Sequence, residues 1–202
     1  IFFIILSIIV SLQSYFTNFN TWAIVGIILG LWIVIASILS IYLRFKFSPN
    51  FKYIKTINSF IAHIGVGIMI LGITVSSIYQ KEYDFNISVG EEINLNKEVL
   101  KLDEIIIEQK ENYQSLRAMF SLEKKDKFVG YIKPGKNYYY VSKSITTEAG
   151  IYHEWFKDIY IVLGNKNNNA WFVKIYINPL VSFIWIGVFI MVFSGIIGIF
   201  KK

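Results

Sequence analysis

The stretch Ile57–Tyr79, INSFIAHIGVGIMILGITVSSIY, limits what this chain can be more than any other. It runs for 23 residues without Asp, Glu, Lys or Arg, which is long and apolar enough to cross a bilayer as a helix. Its one histidine is His63. At about 100° per residue, Thr56, Ser59, Gly67, Ile70, Thr74 and Ser77 fall on the side of His63. Ile57, Ile61, Ile64, Ile68, Leu71 and Val75 fall opposite. The small side suits a helix or a flat cofactor, with Gly67 leaving room for it, and the branched side suits lipid. A histidine at membrane depth is costly unless it finds a partner. From the residues alone, His63 has three readings: a metal or cofactor ligand, a proton relay, or a packing residue hydrogen-bonded to a neighbouring helix.

The rest of the composition agrees with a membrane protein. Of 202 residues, 54% are hydrophobic, and the mean hydropathy is +0.50, too apolar for an ordinary soluble domain. The absence of cysteine excludes disulfides, CxxC redox chemistry and thiolate metal sites in this chain. The net charge of +6 does not imply nucleic-acid binding. All 14 acidic residues lie between Glu82 and Asp158, and Lys81–Lys174 holds as many basic ones, so the centre is neutral. The surplus is Arg44, Lys46, Lys52 and Lys55 in one short stretch, plus Lys201 and Lys202. That placement is the positive-inside pattern.

Read in order, the chain predicts an integral membrane α-helical bundle of three full spans plus one partial, with an inserted extracytoplasmic β-rich domain. Residues 1–12 read as the end of a truncated span. A start at Ile1, inside an apolar run, reads as part of a longer protein and not as a signal peptide. Trp22–Leu43 reads as a span with Gly26 and Gly30 at GxxxG spacing, which permits close helix contact. Arg44–Thr56 is the basic, cytoplasmic loop. Residues 57–79 then run outward, 80–177 lie outside, and 178–200 return. The outside region shows seven runs of branched and aromatic residues, at Tyr83–Val89, Val99–Ile107, Ser115–Leu122, Phe128–Ile132, Tyr138–Ser142, Asp158–Leu163 and Ala170–Ile177. They predict a small antiparallel barrel or sandwich, with the Gly/Asn-rich loop between the last two runs closing a hairpin.

Other candidates carry blander readings. His153, in TEAGIYHEWFKDIY, reads as a solvated histidine with no partnered nucleophile. Glu148, Glu154 and Asp158 read as surface or capping carboxylates. The aromatic clusters Tyr138–Tyr140, Trp155–Phe156 and Trp171–Phe172 read as β-core or interface anchors. No catalytic residue is visible.

A series of short motifs resembles the C-terminal part of the CcmF family of cytochrome c biogenesis proteins. The series opens with Ala62-His63-Ile64-Gly65-Val66, Leu71-Gly72-Ile73 and Ser76-Ser77. It continues with Glu111-Asn112-Tyr113, Lys133-Pro134-Gly135-Lys136 and Thr147-Glu148-Ala149. Then come Asp158-Ile159-Tyr160, Leu163-Gly164, Trp171, Tyr176, Pro179 and Ile184-Trp185-Ile186-Gly187. The family has Pro-Glu-Lys-Arg where this chain has Pro134-Gly135-Lys136-Asn137, so no role for those charges carries over.

The resemblance implies that His63 is an axial ligand of an embedded b-type heme, both its cofactor and its metal site. It implies a component of the heme lyase of the bacterial or mitochondrial inner membrane. The implied partners are heme, a periplasmic heme chaperone, and apocytochrome c with its thiol-handling chaperone. The residues that attach heme would lie outside this chain. The competing expectations are a membrane-anchored scaffold whose β domain docks partners while His63 only packs, and a transporter with His63 as a relay.

Overall fold

The computed structural model describes residues 21–47, 54–95 and 98–200. The run 1–12, Lys201 and Lys202, and the middle of the basic loop lie outside the described residues. Three helices, α1 (Thr21–Phe47), α2 (Ile54–Ile78) and α3 (Val181–Phe200), form one compact unit, and residues Lys81–Asn178 form a second. All three helices are long and apolar enough to cross a membrane. The helix α1 outruns its apolar stretch, so Arg44 and Lys46 sit in its last turn and not in a loop. Basic residues are favourable there, beside the negative end of the helix dipole. Ser37 and Ser40 donate their hydroxyls back to the carbonyls of Ile33 and Ala36, at 2.7 Å each, which satisfies polar groups where water is scarce.

Small residues set how the helices meet. Gly26 lies against Thr74, and Gly30 against Leu71 and the Gly67 carbonyl. On another side of α2, Gly65 and Gly187 face each other's carbonyls, and Gly72 lies against Phe183 and Ile184. A Cβ at Gly67 would come within 2.6 Å of Val34 Cγ2. Gly67 therefore leaves room for α1 and not for a porphyrin, which corrects the expectation from its spacing. Leu71, read as lipid-facing, is likewise a contact of α1. Close backbone approach stabilises helix pairs in lipid through packing, because the surrounding tails remove any hydrophobic drive.

The second unit is a β-sandwich, with ten strands among the described residues. They are β1 (Lys81–Ile87), β2 (Glu92–Leu95), β3 (Glu98–Gln109), β4 (Tyr113–Lys124), β5 (Lys127–Ile132), β6 (Gly135–Tyr139), β7 (Ser144–Glu148), β8 (Gly150–His153), β9 (Lys157–Asn167) and β10 (Ala170–Pro179). One sheet has the order β1-β10-β9-β8 and the other β2-β3-β4-β6-β7, with β5 also on β4. Alternation puts Ile159, Ile161 and Leu163 of one sheet against Leu100, Leu102, Phe120 and Leu122 of the other in a single core. Lys125 and Asp126, both at positive φ, close the β4–β5 hairpin, as its two-residue turn demands. The Gly/Asn-rich stretch does close a hairpin, with Asn168 at φ 52°.

Three strands escape the sequence reading. Glu92–Leu95 and Gly150–His153 have four residues each, and every residue of Ser144–Glu148 is exposed. The last has no buried face, and the other two are too short for their alternation to stand out, although Ile93 and Leu95 of β2 are buried in the core. The expected run Tyr138–Ser142 is displaced: β6 ends at Tyr139, and the chain turns before β7. The last helix starts at Val181 and not at Asn178, because β10 continues through Pro179 and Leu180 takes a positive φ of 55°.

Candidate functional site

His63 sits on the exposed surface of α2, beside α1. By helical rise it is about 14 Å from Ile54 and about 22 Å from Ile78. Its Nδ1 lies 2.5 Å from the carbonyl oxygen of Ser59, one turn earlier. A carbonyl only accepts, so Nδ1 carries the proton, and in the neutral ring Nε2 keeps the lone pair. A histidine tied by Nδ1–H to a backbone carbonyl is the arrangement that orients an imidazole for metal binding through Nε2.

The ring lines a groove of about 220 Å³ between the helices. Trp32, Ile33, Ala36, Ser37 and Ser40 of α1 form one wall, and Phe60 and His63 of α2 the other. The two serine hydroxyls are already spent on their own helix, so the walls are essentially apolar. Arg44 does not line the groove, but its guanidinium lies 4.9 Å over the ring of Phe60, which does. One imidazole nitrogen beside aromatic side chains has the chemistry to hold a porphyrin iron from the face of the ring. It does not fit a hard cation, which needs several oxygens. Among the described residues no group of three His, Cys, Asp or Glu gathers to hold a metal ion. The contribution of α1 was missed in the sequence. Its signal was Ala36, Ser37 and Ser40, a small-residue stripe at helical spacing like that around His63, with Trp32 one turn before it.

Among the other candidates, His153 and Glu148 are exposed and Trp171 packs on the core, as expected, and Asp158 departs from its expected place. His153 is exposed, but its Nδ1 pairs with Asp158 Oδ2 at 2.9 Å across the β8–β9 hairpin. Asp158 is not a surface carboxylate: it is 1% exposed. Glu148 is held by Arg117 at 2.8 Å and by the Asn137 amide at 2.6 Å, and Glu154 accepts two bonds from Lys124. Trp171 packs on the core, whereas Trp155 and Phe156 are exposed at the β8–β9 turn.

Burial, and then the charge of Asp158, push the Tyr160 phenol above the usual tyrosine range. A group raised in the fold adds stability that is complete below its unfolded value of about 10 and is lost as pH rises through its folded value. Tyr160→Phe is therefore expected to flatten the alkaline fall in stability, and Asp158→Asn to bring tyrosinate formation at Tyr160 to lower pH. Ultraviolet titration of the three proteins checks this. An unmoved Tyr160 step in Asp158→Asn would contradict it.

Residues 78–179 match the family described as the CcmF C-terminal beta-sandwich. The chain is 27% identical over 190 residues to the cytochrome c-type biogenesis protein CcmF of Pseudomonas aeruginosa, covering 91% of this chain and 29% of that protein. It is 29% identical over 143 residues to CcmF of Haemophilus influenzae, covering 70% and 22%. It is 26% identical over 180 residues to CcmF of Escherichia coli, covering 88% and 27%. The chain thus spans less than a third of the length of these relatives. A solved structure described as the cytochrome c heme lyase CcmF shares the fold, with a TM-score of 0.73 at 13% identity, covering 95% of this chain and 33% of that one.

Proposed function

We propose, from the premise that this chain belongs to the CcmF family, that it forms the C-terminal part of a heme lyase of c-type cytochrome maturation. The observation that carries this is the His63 imidazole, held by its Nδ1–H to Ser59 beside an aromatic-walled groove. In this reading His63 would hold the iron of an embedded b-type heme, and a second ligand would come from outside the chain. Such a heme supplies one-electron chemistry that keeps transferred iron reduced. Ser59 fixes the ring, while Trp32 and Phe60 exclude water from the ligand bond. The larger assembly takes heme from a periplasmic heme chaperone and delivers it to the Cys-x-x-Cys-His motif of apocytochrome c, whose thiols a further chaperone handles. The attachment chemistry belongs to parts outside this chain.

The charge pattern orients the helices. Arg44 and Lys46, with the basic residues that follow, mark the cytoplasmic side of the inner membrane, and the β-sandwich lies on the periplasmic side. A mitochondrial inner membrane would keep the same orientation. The test is the visible spectrum of the purified intact protein, reduced minus oxidised. A b-type α band at near-stoichiometric heme is expected. A protein that matures cytochrome c yet carries no b-type heme would overturn the reading.

A further inference from the structure

A cation lies next to one of the residues that line the groove. Gly26 meets Thr74 and Gly30 meets Leu71, so α1 and α2 run antiparallel. His63 shares the groove with residues from Trp32 to Ser40. Arg44 lies one turn beyond Ser40 on the same side of α1, with its guanidinium held over Phe60, a favourable cation–π contact. From Ser37 to Arg44 is about 10 Å of helix rise. Phe60, under the guanidinium, is about one helical turn from His63, so the cation lies within reach of the carboxylate arms of a porphyrin held there. A carboxylate taken near a membrane interior needs a cation, and a guanidinium's planar fork suits it better than an ammonium.

We propose that Arg44 binds a propionate of the porphyrin whose iron His63 holds, fixing which end of the ring lies toward the last turn of α1. The inference rests on the heme reading of His63 and adds to it the cofactor's orientation and a second contact from a different helix.

The test uses the intact protein, freed of heme, in four forms: wild type, Arg44→Met, Arg44→Lys and His63→Ala. Each is titrated with iron protoporphyrin and with its dimethyl ester, which lacks the carboxylates, and followed by the Soret band. Arg44→Met is expected to weaken iron protoporphyrin binding by about tenfold or more, as loss of a charged hydrogen bond does. Arg44→Lys should recover part of that loss, and the ester should bind wild type and Arg44→Met alike. Equal binding of the diacid to wild type and Arg44→Met would overturn the role of Arg44 while leaving His63 as ligand. That result would place its charge on a lipid headgroup instead. An equal loss for diacid and ester would overturn it too, since Arg44 would then act through helix packing. A wild type with no Soret change that depends on His63 would remove the heme reading itself.

Discussion

His63→Ala in the intact protein is expected to strip the b-type heme and to reduce cytochrome c maturation to a small residue. Removing a partner that merely orients a metal ligand costs about 10–100-fold in affinity, so loss of the ligand itself should cost at least about a hundredfold. The orienting group here is the backbone carbonyl of Ser59. Ser59→Ala should therefore keep its heme, which separates loss of the ligand from general disturbance of α2. The apolar walls add no replacement donor, because Ser37 and Ser40 are bound to their own helix. Added imidazole should restore part of the Soret band to His63→Ala by entering the vacated space. A pyridine hemochrome assay at matched membrane protein levels measures the effect. Unchanged heme in a well-folded His63→Ala protein would leave the residue to packing and end its redox role.

The second large effect concerns the β-sandwich. Glu98, at the start of β3, is 2% exposed yet carries a carboxylate. Lys157 of β9 donates to its Oε1, and Lys124 of β4 lies 3.5 Å from the same oxygen. Lys124 also bonds both oxygens of Glu154, at 2.8 and 2.7 Å. That hydrogen bond is the main reason its ammonium titrates above the usual lysine range. The cluster thus ties both sheets together through one buried anion.

Removing a partner from a buried pair costs about 3–5 kcal/mol, because the remaining charge is stranded. Lys157→Met should fall near the low end of that range, since Lys124 stays nearby. Lys124→Met with Lys157→Met should reach the upper end. Glu98→Gln should cost less than either, because the lysines it frees are about a third exposed and can turn to water. Hydrogen exchange of the core strand amides in the intact protein reads the local stability. If Glu98→Gln opened the domain more than Lys157→Met, the asymmetry argued here would be wrong.

None of that cluster was visible in the sequence, where Glu98, Lys124 and Lys157 are scattered among solvated charges. Strand pairing gathers them, and pairing is non-local. Asp158 was misread for the same reason: its burial depends on its place in the sheet, and no local pattern announces it. What was legible had a short physical period. An uncharged run of membrane length exposes His63, and alternation in Asp158–Leu163 marks an inward face. The membrane helices and a small antiparallel barrel or sandwich therefore followed from the residues. The use of Gly67 did not, because a glycine's spacing shows that space exists and not which neighbour fills it. Here Val34 and the Gly30 carbonyl do.

The pairing of β1 with β10, from Lys81 opposite Ile177 to Ile87 opposite Trp171, bears on how the chain is made. Among the described residues β1, the first strand of this domain, neighbours only β10, its last. A nascent chain stopped anywhere before Ala170 holds β1 with neither edge paired, and β9 open on the side that β10 will take. Bare edges of this kind invite pairing with other chains, and contacts so distant along the sequence form slowly. Ribosomal stalling or proteolytic clipping within the final hairpin is thus the point at which this protein is most exposed to aggregation, after nearly all of its core residues have been made.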